Sequence, residues 1–164
     1  MPENSVKTSR KIAILLGGDL GDEEKIFAGA IRGLADGGVE NIRTSRLYRT
    51  KPVDCVPGTP DFFNQAVTGL WRGTPAELLK LTQKLEKLAG RPEKHRSDEA
   101  RTLDCDIILF GDESIDLPDL KIPHPRALAR LFVLEPLAEI AGSWRFPCGI
   151  TIAEAAEKLK SSIL

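Results

Sequence analysis

Arg101-Thr102-Leu103-Asp104-Cys105-Asp106-Ile107-Ile108-Leu109-Phe110-Gly111-Asp112 is the stretch on which the reading of this chain turns. It is apolar enough for a buried strand, yet two acids interrupt it. Side chains of a strand alternate between faces. Leu103, Cys105, Ile107 and Leu109 are therefore expected on one face, and Asp104 and Asp106 on the other. The two aspartate Cα atoms then lie roughly 6.5–7 Å apart, at ~3.3 Å rise per residue. Aspartate is a poor strand former, and neighbouring carboxylates repel. A solvated strand face would tolerate the pair. The apolar neighbours and the adjacent Arg101 point instead to a divalent-metal site, with oxygen ligands suited to Mg²⁺.

The rest of the chain frames this strand. Its 164 residues suffice for one domain with a real core. Residues 1–10 read as a flexible N-terminal tail and 11–164 as the single domain. Hydrophobic residues make up 41% and charged residues 29%, and the formal net charge is −1, so a globular chain with no bias towards nucleic acid is expected. No apolar run reaches the ~18 residues of a membrane span. The polar start, Met1 to Arg10, has no signal-peptide pattern. Three scattered cysteines, Cys55, Cys105 and Cys148, fit neither a disulfide framework nor a zinc site, and imply reduced thiols in the cytoplasm.

Ile12 to Leu16 is an all-apolar run, as in a central strand. Gly17-Gly18-Asp19-Leu20-Gly21 reads as a strand-to-helix turn and lacks the full dinucleotide fingerprint. Ile26, Phe27, Ala30, Ile31 and Leu34 recur at helical spacing, closed by Gly37-Gly38. Val39–Val53 and Phe62–Trp71 read as extended. Thr74, Pro75 and Glu77 form the start of a capped helix whose stripe is Leu78, Leu81, Leu85 and Leu88, with Gly90 as its stop. Residues 91–102, charged and without period, read as a loop. A helix is expected from about Leu128 to Ala141 and another from Thr151. This β-α-β, β-α-β order predicts an α+β, ferredoxin-like sandwich. Two helices would cover one face of the sheet, with additional helices at the C-terminus.

Basic groups gather around the acidic pair in sequence: Arg91, Lys94, Arg96 and Arg101 before it, His124 and Arg130 after it. Two aspartates, several arginines and a histidine suit a polyphosphate with bound Mg²⁺. There is no P-loop motif. Phe62, Phe63 and Asn64 offer a flat slot with one polar handle for a planar heterocycle, one of the two phenylalanines being core.

The same residues carry a family resemblance. Arg101 to Asp112 resembles the signature of 6-hydroxymethyl-7,8-dihydropterin pyrophosphokinase (HPPK), a folate-pathway family. Tyr48-Arg-Thr-Lys-Pro-Val53, Pro60-Asp-Phe-Phe-Asn64, Gln83-Lys-Leu-Glu86 with Gly90-Arg91, Ile122-Pro-His124, and Arg130 to Ala141 resemble further blocks in family order. The resemblance implies transfer of pyrophosphate from ATP to the pterin hydroxymethyl group with release of AMP. It implies two Mg²⁺ ions on Asp104 and Asp106. Thr50, Val53, Phe62, Asn64 and Phe132 would hold the pterin. Gln83, Glu86, Arg91, Arg101, Lys121, His124 and Arg130 would line the ATP side, with Arg91 and Arg101 catalytic. Small molecules would be the only partners of a cytoplasmic monomer. Four positions depart from the family pattern: Gly17-Gly18-Asp19 replaces Gly-Ser-Asn, and Phe62 replaces a tyrosine. Ser97 to Ala100 lacks the family tryptophan, and Glu93 stands where an arginine is usual. Two alternatives remain open at this point: a homologue with impaired turnover, and a non-catalytic ferredoxin-like binding module.

Overall fold

The computed structural model describes residues 8–19, 22–51, 61–90 and 103–163. The expected tail therefore lies mostly outside the described residues, and Arg10 already belongs to the first strand. The elements run β1 (Arg10–Gly18), α1 (Glu23–Asp36), β2 (Glu40–Thr44), β3 (Tyr48–Thr50), β4 (Phe62–Trp71) and α2 (Pro75–Leu88). They continue with β5 (Asp104–Phe110), β6 (Ile115–Leu117), β7 (Leu120–Ile122), a 3₁₀ turn (Ala127–Ala129), α3 (Leu131–Ala141) and α4 (Ile152–Ile163). The main sheet is ordered β2-β4-β1-β5, with β3 also on β4. Every pairing in it is antiparallel.

The all-apolar β1 is central, and both of its faces are covered. Ile12, Ile14 and Leu16 pack against Phe27 and Leu34 of α1 and Leu78 and Leu85 of α2. Ala13 and Leu15 pack against Val133, Leu134 and Leu137 of α3 and Ile152 and Ala155 of α4. The C-terminal helices thus make a third layer. α2 begins as its sequence dictates: Thr74 Oγ1 accepts from the Glu77 N–H at 3.1 Å, and Glu77 Oε1 accepts from the Thr74 N–H at 2.7 Å. Gly90 follows its C-terminus at φ +100°, where a side chain would be strained.

Three expectations are corrected. Leu109 does not share a face with Leu103, Cys105 and Ile107. The register between β1 and β5 slips between Ala13 and Ile14, so that Ile107 and Leu109 face consecutive residues of β1. Ile108 is the extra residue of this bulge, and Leu109 joins the α3/α4 side. Leu88 is 72% exposed, so the α2 stripe ends at Leu85. The helix expected from Leu128 is broken at Arg130, whose extended backbone (φ −128°, ψ 112°) separates the 3₁₀ turn from α3. Residues 115–122, unassigned by pattern, form the β6–β7 hairpin.

Candidate active site

Register across the sheet builds the site. Tyr48 of β3 pairs with Asn64 of β4, Asn64 with Gly17 of β1, and Gly17 with Asp104 of β5. Paired residues point to the same face, which is the α3 face. One step towards the core, Ala66, Leu15 and Asp106 form the next row. One step outward, Thr50 pairs with Phe62. A strip of Thr50, Phe62, Asn64, Gly17, Asp104 and Asp106 therefore runs across four strands on one face. The alternation that put both aspartates on one side is upheld here, because the bulge lies beyond them.

Gly17 is the gap in this strip. A Cβ there would lie 3.0 Å from Asn64 Nδ2 and 3.2 Å from the Phe62 ring. The missing side chain lets both residues lean over β1. Asn64 is 2% exposed. Its Nδ2 donates to the Leu16 carbonyl at 3.2 Å, whereas its Oδ1 is buried and has no hydrogen-bond partner among the described residues. Buried acceptors are rarely left unpaired. This one lies beside an aromatic wall, since Phe62 and Phe132 meet edge to face with ring centroids 6.5 Å apart. Phe132, in the first turn of α3, is 37% exposed, and the Arg130 guanidinium lies 5.5 Å from its ring centroid.

The acidic end lies on an edge strand. Asp104 is half-buried and Asp106 exposed. Between them, the Cys105 N–H donates to Glu86 Oε2 of α2 at 2.9 Å, which holds α2 against the edge of β5. Burial first, then Glu86, Asp106 and Asp104, push the Cys105 thiol well above its ordinary range, so it stays protonated. Two carboxylates spaced by two residues on one strand face, beside the open position of Gly17, fit a hard divalent cation. Among the described residues no third His, Cys, Asp or Glu joins them. Water and ligand oxygens would complete the shell, as is usual for Mg²⁺.

The other expected residues are more dispersed. Gln83 is exposed on α2, three residues before Glu86. His124 Nδ1 accepts from the Arg126 N–H at 3.3 Å, just after the Ile122–Pro123 peptide. Lys121 is paired with Asp116 across the β6–β7 hairpin. Val53, Arg91 and Arg101, like Lys94, Arg96 and the departures at Glu93 and Ser97–Ala100, lie outside the described residues.

Residues 13–142 match the family of 7,8-dihydro-6-hydroxymethylpterin-pyrophosphokinase (HPPK). The chain belongs to the HPPK family. The matched region runs from β1 to α3 and leaves α4 outside. The chain is 41% identical over 128 residues to a Bacillus subtilis protein named 2-amino-4-hydroxy-6-hydroxymethyldihydropteridine pyrophosphokinase, covering 77% of this chain and 75% of the relative. A Synechocystis protein of the same name is 39% identical over 146 residues, covering 88% and 73%. An Arabidopsis thaliana folate synthesis bifunctional protein is 38% identical over 136 residues, covering 83% of this chain but 28% of the relative. The chain thus spans only about a quarter of such longer relatives. The Plasmodium falciparum HPPK-DHPS structure with pteroate superposes with a TM-score of 0.74 over 96% of this chain and 44% of that one, at 14% identity. That likeness supports the mixed helix and antiparallel-sheet fold alone.

At this candidate site, three residues escaped the sequence reading of function: Gly17, Tyr48 as a side chain, and Glu139. Tyr48 donates its hydroxyl to Glu139 Oε1 at 2.8 Å, and the Arg46 N–H donates to Glu139 Oε2 at 3.1 Å. The available signals were a glycine following an apolar strand run and the second of two acids in the apolar helix Leu131–Ala141.

Proposed function

We propose that this chain transfers the pyrophosphoryl group of ATP to the hydroxyl of 6-hydroxymethyl-7,8-dihydropterin. The hydroxyl oxygen bonds to the β-phosphorus, AMP leaves with the bridging oxygen, and the hydroxyl proton is released. The observation that carries this reading is the buried Oδ1 of Asn64, unpartnered among the described residues, beside Phe62 and Phe132. A pterin presents an amide-like edge with donors and acceptors on a flat ring. Asn64 offers an acceptor to that edge, Phe62 and Phe132 take the ring faces, and Thr50 and Val53 are assigned to the pterin as well. The row from Asn64 through Gly17 to Asp104 leads from the pterin to the phosphates.

Asp104 and Asp106 would hold two Mg²⁺ ions, which would supply charge neutralisation for the phosphates and electrophilic activation of the acceptor hydroxyl. Arg91 and Arg101 are assigned to charge that develops on the transferred group, where forked donors count most in the transition state. Gln83, Glu86, Lys121, His124 and Arg130 are assigned to ATP. Glu86 orients β5 through the Cys105 N–H, and the exchange of Asp116 for a phosphate oxygen would release Lys121 to ATP. The strand order and the two crossing helices support a ferredoxin-like sandwich in one domain over 11–164, preceded by a tail. A cytoplasmic monomer acting on small molecules completes the reading. Among the described residues no helix is long and apolar enough to cross a membrane.

The test is pterin-dependent AMP formation by the wild type and by Asp104→Asn and Asp106→Asn. The wild type should release AMP only with pterin and Mg²⁺, and each variant should lose most turnover while still binding pterin. Variants that turn over normally would refute the metal assignment. A wild type that binds both substrates without releasing AMP would favour a homologue that has lost turnover.

A further inference from the structure

The two walls of the pterin slot belong to different layers. Phe62 and Asn64 stand on β4, and Phe132 on α3. Something has to fix the distance between them, and the local backbone of α3 is poorly suited to do so. Pro136 sits inside α3 and has no N–H to donate to the Phe132 carbonyl four residues earlier. The turn that carries Phe132 therefore lacks one rung of its backbone ladder.

Glu139 supplies a link from the sheet. It follows Phe132 by seven residues, which at 3.6 residues per turn is two turns, so both lie on the same face of α3. Its two carboxylate oxygens are divided between Arg46, in the link between β2 and β3, and Tyr48, the first residue of β3. Oε1 accepts from the Tyr48 hydroxyl at 2.8 Å and Oε2 from the Arg46 N–H at 3.1 Å. The Arg46 guanidinium lies 3.9 Å from the Tyr48 ring centroid and 3.9 Å from Glu139 Oε1, so it braces both. Tyr48 in turn is the Cα partner of Asn64, and Thr50 that of Phe62. A single carboxylate thus ties α3 to the strand that borders the pterin-binding residues.

We propose that Glu139, acting through Tyr48 and Arg46, is a positioning residue that sets the width of the pterin slot. It touches neither the pterin nor ATP. It fixes α3 on β3 so that Phe132 stands opposite Phe62 while only its ring turns. This rests on the assignment of the slot to the pterin. Burial and the Glu139 carboxylate both raise the Tyr48 phenol above its ordinary range, which keeps it a hydrogen-bond donor.

The experiment is calorimetric titration of the full chain with a pterin and, separately, with a non-hydrolysable ATP analogue. It uses the wild type, Glu139→Ala, Glu139→Gln and Tyr48→Phe, each with a thermal melt and steady-state kinetics. Tyr48→Phe keeps the ring and its stacking on Arg46 and removes only the hydroxyl, so it folds. Glu139→Ala and Tyr48→Phe should each weaken pterin binding, Glu139→Ala by about tenfold, the cost of ordering one freed aromatic side chain on binding. The affinity for the ATP analogue should stay within about twofold, and KM for the pterin should rise more than kcat falls. Glu139→Gln, which still accepts from Tyr48, should recover part of the loss. Equal loss of both ligands in step with the melting temperature would mean a purely structural contact and overturn the proposal. Unchanged pterin affinity in all three variants, with a wild type that binds pterin, would overturn it too. A wild type that binds no pterin would instead overturn the slot assignment.

Discussion

Asn64→Leu separates function from stability at one side chain. Leucine keeps the branch at Cγ and removes both polar atoms. In the unliganded protein this deletes one hydrogen bond, Nδ2 to the Leu16 carbonyl, worth about 0.5–1.5 kcal/mol net. It also deletes a buried acceptor with no partner among the described residues, whose desolvation costs about 1–3 kcal/mol. The two terms oppose, and the second is the larger. The variant should therefore melt at the wild-type temperature or slightly above it. Pterin binding should suffer in the opposite sense. The ligand's amide-like edge loses the asparagine's acceptor, and one bond at about 1–1.5 kcal/mol corresponds to roughly 5- to 12-fold in Kd. ATP affinity should not change. Chemical denaturation gives the stability, and calorimetry the two affinities. A loss of stability beyond about 2 kcal/mol would mean that Oδ1 has a structural partner. Unchanged pterin affinity would place the heterocycle elsewhere.

Three further outcomes follow from the same geometry. Gly17→Ala should fold at a cost of about 1–3 kcal/mol from overpacking and weaken pterin binding measured by titration, because its Cβ would press on Asn64 and Phe62; wild-type affinity would show that the neighbours yield freely. In alkylation followed by mass spectrometry, the exposed Cys148 should react readily in the native protein and the buried Cys105 only after denaturation; rapid native labelling of Cys105 would contradict its packing. Glu154 is held below the usual carboxylate range by its hydrogen bonds with Thr151 at the start of α4. A depressed carboxyl stabilises above its unfolded value and loses that contribution as pH falls through the folded one. Glu154→Gln should thus melt below wild type at neutral pH, and the gap should close in acid; a gap independent of pH would rule out the charge as its source.

Much of this architecture is written in local pattern. The apolar run of β1 announced a strand buried on both faces, and Thr74-Pro75-x-Glu77 fixed the start of α2 through its own hydrogen bonds. The two aspartates were legible because alternation holds over three residues whatever the register. Elements that depend on distant pairing were not. The bulge at Ile108 arises where β5 meets β1, and nothing in Asp-Ile-Ile-Leu-Phe distinguishes it from a regular strand. The break at Arg130 and the exposure of Leu88 follow from tertiary packing, which overrides propensity. The strip from Thr50 to Asp106 requires the register of four strands at once. The tie from Glu139 to Tyr48 spans 91 residues, so no window of sequence contains it.

The central claim is that a pyrophosphoryl group moves in one step from ATP to the hydroxymethyl pterin. Phosphorus NMR on a reaction containing the chain, ATP, Mg²⁺ and 6-hydroxymethyl-7,8-dihydropterin reads this directly. The account predicts AMP and a pterin diphosphate in equal amounts, with neither formed when the pterin is omitted. ADP with a pterin monophosphate, or AMP with free pyrophosphate and unchanged pterin, would contradict it.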